Sequence, residues 1–185
     1  KEKKLNNDFL ILENKKLRNL INESIQSEDL YAKVLVDKDS PYLKSIILNK
    51  GSKDNVKIGM AIVDNSYLVG KVIEVNYTNS RALLLSDLNS KIPVLLEPLD
   101  IHAVASGTGK NYGVIEYTKE DYDQIIKDKE IIVYTSGYGG LFKPGLPVGK
   151  IIYDNTINDN IINFFSDFRQ LDYVKIVSYD IGSGN

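Results

Sequence analysis

Cysteine and tryptophan are absent from this 185-residue chain, and histidine and methionine occur once each. Without thiols there is no disulfide framework and no thiolate metal site. An excess of one charge is missing too: 23 Lys and Arg stand against 25 Asp and Glu, a net of −2, which leaves no electrostatic case for nucleic acid. No apolar run approaches the ~20 residues needed to span a bilayer, and the chain opens with neither an initiating Met nor a signal peptide. It is expected to be an excised soluble portion of a longer protein. What is present, 43% hydrophobic and 26% charged residues, is enough for one or two small domains, each with a modest core.

Glycine and proline are concentrated in one place. Residues 135–150, Thr-Ser-Gly-Tyr-Gly-Gly-Leu-Phe-Lys-Pro-Gly-Leu-Pro-Val-Gly-Lys, hold five of the 13 glycines and two of the five prolines. Glycine permits positive φ and proline fixes φ, so the stretch reads as a rigid, shaped loop. A buried strand at residues 131–134 enters it, and another at 148–153 leaves it. Tyr138, Leu141 and Phe142 are candidate partner-binding residues, because apolar side chains on a loop tip mark contacts. The competing expectation is that Leu141 and Phe142 fold back and cap the end of a barrel.

Residues 1–27 contain no Pro or Gly and read as helix. With Leu10 and Leu17 at d positions, Asn7, Asn14 and Ile21 fall at a. One reading is an amphipathic helix docked on its own domain. The other is the end of a coiled coil that pairs two chains through Leu10, Asn14, Leu17 and Ile21, with Asn14 fixing register.

The rest is a succession of short β-branched or aliphatic runs separated by turn signals such as Lys50-Gly51 and Asp64-Asn65. Strands are expected at 31–36, 45–48, 60–63, 67–75, 81–85, 92–96, 102–105, 112–117, 131–134, 148–153, 161–165 and 173–178, with a helical turn within 118–127. This spacing argues for small barrels or sandwiches. The chain also repeats itself. Ala61-Ile62-Val63 matches Ile131-Ile132-Val133, and Val69-Gly70-Lys71-Val72-Ile73 matches Val148-Gly149-Lys150-Ile151-Ile152. The extra residues of the second copy fall inside the Gly/Pro stretch.

The expected fold is therefore mainly β: a coiled-coil helix over residues 1–29, then two small six-stranded β-barrel-like domains. Six strands lie between Ser45 and Ala105, so the first barrel is expected over 40–110. The second is expected to be discontinuous, 30–39 plus 111–180, with 181–185 as a tail.

Catalytic, cofactor and metal sites are all expected to be absent. His102, in an alternating strand beside Ile101 and Val104, reads as structural. A protease-like, degenerate hydrolase needs His102 beside a nucleophile such as Ser136 with an acid behind it, and no feature places them together. The loop lacks phosphate-cradle spacing and leads into a strand. Asp121, Asp123 and Asp128 lack the Gly and terminal Glu of a Ca²⁺ loop.

The loop resembles the T-S-G-x-G-G-x-F-(P)-x-G-L-P-V-G signature of the rod shape-determining MreC family. Two further blocks agree: Lys50-Gly51-Ser52-Lys53-Asp54 through Leu68-Val69-Gly70-Lys71-Val72, and Leu83-Leu84-Leu85-Ser86-Asp87 through Pro93-Val94. The resemblance covers residues 31–179. It departs from the pattern at Lys143-Pro144 and at Lys129-Glu130. It implies two β-barrel-like domains after a helix, a membrane-spanning helix upstream of Lys1, and placement outside the cytoplasmic membrane. It further implies a non-enzymatic scaffold of the cell-elongation machinery. The partners it implies are MreD, a class B penicillin-binding protein, RodA and MreB, together with self-assembly as a homodimer or larger.

Overall fold

The computed structural model describes residues 29–39, 44–118 and 130–179. The expected coiled coil with Leu10, Asn14, Leu17 and Ile21, the helical turn, Asp121, Asp123, Asp128 and the 181–185 tail lie outside the described residues.

Among the described residues, twelve strands form two closed six-stranded barrels. Barrel A contains β1 (Asp29–Asp39), β2 (Lys44–Leu48), β3 (Ala61–Asp64), β4 (Tyr67–Val75), β5 (Ser80–Leu84) and β12 (Tyr173–Val177). Barrel B contains β6 (Lys91–Glu97), β7 (Ile101–Gly107), β8 (Tyr112–Thr118), β9 (Ile131–Thr135), β10 (Pro147–Asp154) and β11 (Asp159–Phe164). Every pairing is antiparallel. Closure leaves no strand edge unpaired, which is how small all-β units avoid edge-to-edge association.

The period-2 alternation of the sequence becomes inside and outside of each wall. On β6, Ile92, Val94 and Leu96 point into barrel B and are buried, as are Ile131 and Val133 on β9. In barrel A the same role falls to Ala32, Ile46, Leu48, Ile62, Val174 and Ile176. The barrels touch where β4 approaches β10. There the Ser166 hydroxyl donates to the Leu68 carbonyl at 3.0 Å, and the Tyr67 and Phe165 rings lie 5.1 Å apart.

The threading differs from the expectation. β1 pairs with β2 and β12 in barrel A, so it does not complete the second barrel. The strands at 92–96 and 102–105 belong to barrel B, not to the first barrel. Short connections keep β1 beside β2, as chain neighbours usually are. The chain then leaves barrel A after β5, and barrel A is closed from the far end of the sequence by β12. Counting strands in order cannot see that crossing.

The apparent repeat is physical. In barrel A, Gly70 pairs with Ile62 and Leu68 with Val63, leaving Val69 as a bulge. In barrel B, Gly149 pairs with Val133 and Pro147 with Tyr134, leaving Val148 as a bulge. Gly70 pairs with Leu84, and Gly149 with Phe164. A Cβ on Gly70 would sit 2.0 Å from the Leu83 carbonyl oxygen, and one on Gly149 2.4 Å from that of Asn163. Both Val-Gly-Lys triplets therefore serve the same close strand approach.

Candidate docking surface

The Gly/Pro loop, residues 136–146, is tied down at its base by one threonine. The Thr135 hydroxyl donates to the Lys143 carbonyl at 2.6 Å and accepts from the Leu146 amide at 2.9 Å. Its backbone adds an amide bond to the Leu146 carbonyl (2.9 Å) and accepts from the Gly145 amide (2.8 Å). The Ser136 amide donates to the Pro93 carbonyl on β6 at 3.1 Å, and the Tyr138 amide to the Ser136 hydroxyl at 3.2 Å. Gly137, at φ 72°, packs against the Pro144 ring, where a Cβ would be 3.0 Å from ring carbon. The loop is shaped by these contacts before anything binds to it.

The three candidate side chains separate. Phe142 is 1% exposed and belongs to the buried core, the packing that the competing expectation of an inward-folded side chain describes. Leu141 is 47% exposed and Tyr138 78% exposed. Leu141 follows the 3-10 turn Tyr138–Gly140 with helical dihedrals (φ −77°, ψ −35°), and the chain there buries Phe142 while leaving Leu141 half exposed.

The loop continues into a face that sequence reasoning missed. Outward positions on β7, β6 and β9 line up in register: His102 opposite Leu95, Leu95 opposite Tyr134, and Val104 opposite Pro93. Pro93, Leu95, Val104 and Tyr134 are half-buried, and His102 is exposed. An outer barrel wall made of Pro, Leu, Val and Tyr is apolar where the solvent side of such a strand is usually polar. Its signal in the sequence was the unbroken apolar run Ile92–Leu96, which has no polar residue for an outer face. At the edge of this wall Lys91 and Glu116 form an ion pair at 2.7 Å. The Lys91 ammonium holds the Glu116 carboxyl below its ordinary pKa.

His102 and Ser136 are not brought together. Strand β6 lies between β7 and β9, which separates their backbones by about two strand spacings, ~9–10 Å. Among the described residues no three of His, Asp and Glu are grouped to hold a metal ion, and no helix is long and apolar enough to cross a membrane.

The family described as "Rod shape-determining protein MreC, barrel core" matches residues 34–178. The cell shape-determining protein MreC of Haemophilus influenzae is 31% identical over 166 residues, covering 86% of this chain and 44% of that protein. The chain thus spans about half the length of that curated relative. The crystal structure of MreC from Pseudomonas aeruginosa superposes with a TM-score of 0.68 at 27% identity, covering 82% of this chain and 99% of that one. MreC in a complex with the penicillin-binding protein PBP2 from Helicobacter pylori shares the fold, with a TM-score of 0.59 at 13% identity over 83% of this chain and 99% of that one. With the barrel-core match running from within β1 to the end of β12, this chain belongs to the MreC family of rod shape-determining proteins.

Proposed function

We propose that this chain is the extracytoplasmic part of a membrane-anchored, non-enzymatic scaffold that holds peptidoglycan synthases in place during cell elongation. The observation that carries the reading is the apolar wall of barrel B, continuous with a pre-shaped loop that offers Tyr138 and Leu141 to solvent. The partner proposed for this surface is a class B penicillin-binding protein; the Helicobacter pylori complex of PBP2 with MreC supports that choice. MreD, RodA and the MreB cytoskeleton are proposed as further members of the assembly. Pairing of two chains through Leu10, Asn14, Leu17 and Ile21 is proposed to bring two docking walls together. A helix upstream of Lys1 is proposed to anchor the chain in the cytoplasmic membrane. The mechanism is positional: a rigid wall with two protruding side chains loses little freedom on binding, and such anchors carry much of an interface's energy.

Changing Tyr138→Ser together with Leu141→Ser tests this. The thermal midpoint is expected to stay unchanged. Affinity for the extracytoplasmic domain of the organism's class B penicillin-binding protein, read by surface plasmon resonance, should fall at least tenfold. Unchanged affinity would remove the loop from the interface.

A further inference from the structure

We infer that the two barrels are two copies of one six-strand unit, residues 29–97 and 101–177, whose sixth strands have changed places, and that this exchange makes barrel A depend on barrel B. The inference does not rest on the docking reading.

Each barrel has the same circular strand order. In barrel A, β3 is followed by β4, β5, β2, β1 and β12; in barrel B, β9 is followed by β10, β11, β8, β7 and β6. β1 to β5 thus correspond to β7 to β11. The remaining place, between the first and third strands of each unit, is filled from the other unit: β12 sits between β1 and β3, and β6 between β7 and β9.

The correspondence runs without a gap through both crossings. Leu84 matches Phe164 at the end of the fifth strand, and Val94 and Leu96 match Val174 and Ile176 in the sixth, all at the same shift in numbering. In register, Leu96 pairs with Val133 and Ile176 with Ile62; Val133 and Ile62 are equivalent because they face Gly149 and Gly70, so the pairing sets the third strands one residue off the sequence match of 61–63 with 131–133. Between them, Leu85-Ser86-Asp87-Leu88 recurs as Phe165-Ser166-Asp167-Phe168. The Leu85 amide donates to the Val69 carbonyl at 2.9 Å, and the Phe165 amide to the Val148 carbonyl at 3.1 Å. The Asp87 carboxylate accepts from the Asn89 amide at 2.7 Å, and that of Asp167 from the Arg169 amide at 3.1 Å. Plain insertion of one barrel into another explains the chain order. It does not explain why the turn leaving barrel A and the turn re-entering it are built alike.

The exchange is symmetric in space but not along the chain. All six strands of barrel B are contiguous, from Lys91 to Phe164, whereas barrel A waits for β12. While barrel B is folded, the Phe165–Asp172 connection delivers β12 to the gap between β1 and β3. With barrel B unfolded, that gap must be closed by a long unstructured chain, at a larger entropic cost. Barrel A can open while barrel B, with its loop, stays intact; the reverse order carries the added closure cost and is disfavoured.

Hydrogen exchange resolved by segment on the intact chain tests this with two equivalent truncations. Ile176→Ala should accelerate exchange at least tenfold in β1–β5 and β12 and leave β6–β11 at wild-type protection. Leu96→Ala should accelerate exchange in both barrels. Should either variant fail to fold, native-state exchange of the unaltered chain in rising denaturant gives the same answer, with barrel A amides opening first. Acceleration confined to barrel B in Leu96→Ala, equal acceleration of both barrels in Ile176→Ala, or barrel B amides opening first would each overturn the inference.

Discussion

Where barrel A carries Tyr173 and Lys175 on β12, barrel B carries Pro93 and Leu95 on β6; where barrel A carries Tyr31 and Lys33 on β1, barrel B carries His102 and Val104 on β7. The residues between them, which face inward, hardly differ: Ala32 matches Ala103, Val174 matches Val94, and Ile176 matches Leu96, all buried. Tyr31, Lys33 and Tyr173 are exposed, whereas Val104, Pro93 and Leu95 are half-buried. The third difference is the connection after the third strand. It is a tight turn at Asn65-Ser66 in barrel A and the 136–146 loop in barrel B. Closure fixes the inner face of both barrels, because those side chains must fill the same space. The outer face is free to diverge, and barrel B has diverged toward an apolar, loop-crowned wall.

The largest effect that would sharpen this comparison lies in the loop itself. Phe142 is buried in the core, so Phe142→Ala should cost about 3–5 kcal/mol and lower the melting temperature by many degrees. Tyr138→Ala, four residues earlier, should change stability by no more than ~0.5 kcal/mol. Calorimetry on the two variants reads both, and equal losses would mean that the loop has no inside and outside.

The two glycines come next. If the barrels share their close strand approach, Gly70→Ala and Gly149→Ala should be destabilising by similar amounts, about 1–3 kcal/mol each, since both added methyls meet a neighbouring carbonyl oxygen. Chemical denaturation with a single-site readout in each barrel would show it. A neutral substitution at either site would break the equivalence.

The smallest effect is electrostatic. Four carboxyls are held below their ordinary pKa: Asp54 chiefly by the Gly51 amide, Glu116 by Lys91, Asp154 by the Thr156 amide and Asp167 by the Arg169 side chain. A lowered folded-state pKa gives stability that is present above the unfolded value and is lost as pH falls through the folded one. Stability should therefore be level from pH 7 to about 5 and decline below about pH 4. Glu116 and Asp167 are exposed and Asp54 and Asp154 half-buried, and none lies in the core, so the decline should be shallow and reduced by salt. A steep loss above pH 5 would point to a different titrating group.

Strand positions were legible in the sequence because alternation and turn residues are local signals. The Val-Gly-Lys repeat was legible because Gly70 and Gly149 answer the same steric demand. The assignment of strands to barrels was not, since nothing local to Leu85–Ser90 announces that the chain changes barrel there. The Ser-Asp turn does recur at Ser166-Asp167, but its meaning depends on strand pairings far away in sequence. Leu141 and Phe142 were both visible as apolar loop residues. Which of them turns inward is decided by Thr135, Gly137 and Pro144 acting together on the loop backbone. Pro93 and Leu95 escaped notice because an apolar run in a strand reads as core until the barrel fixes which side is out.

The central claim is that barrel B, not barrel A, presents the partner-binding face. The direct measurement exchanges the outer residues of the two sixth strands and reads affinity for the class B penicillin-binding protein's extracytoplasmic domain. Pro93→Tyr with Leu95→Lys gives barrel B the outer pair of barrel A, and Tyr173→Pro with Lys175→Leu does the reverse. Circular dichroism should confirm both barrels folded in each variant; Lys175→Leu alone serves as the barrel A control if Tyr173→Pro unfolds β12. The account predicts at least a tenfold loss of affinity, about 1.4 kcal/mol, for the barrel B variant and wild-type affinity for the barrel A variant. Loss of binding in the barrel A variant with full binding in the barrel B variant would contradict it.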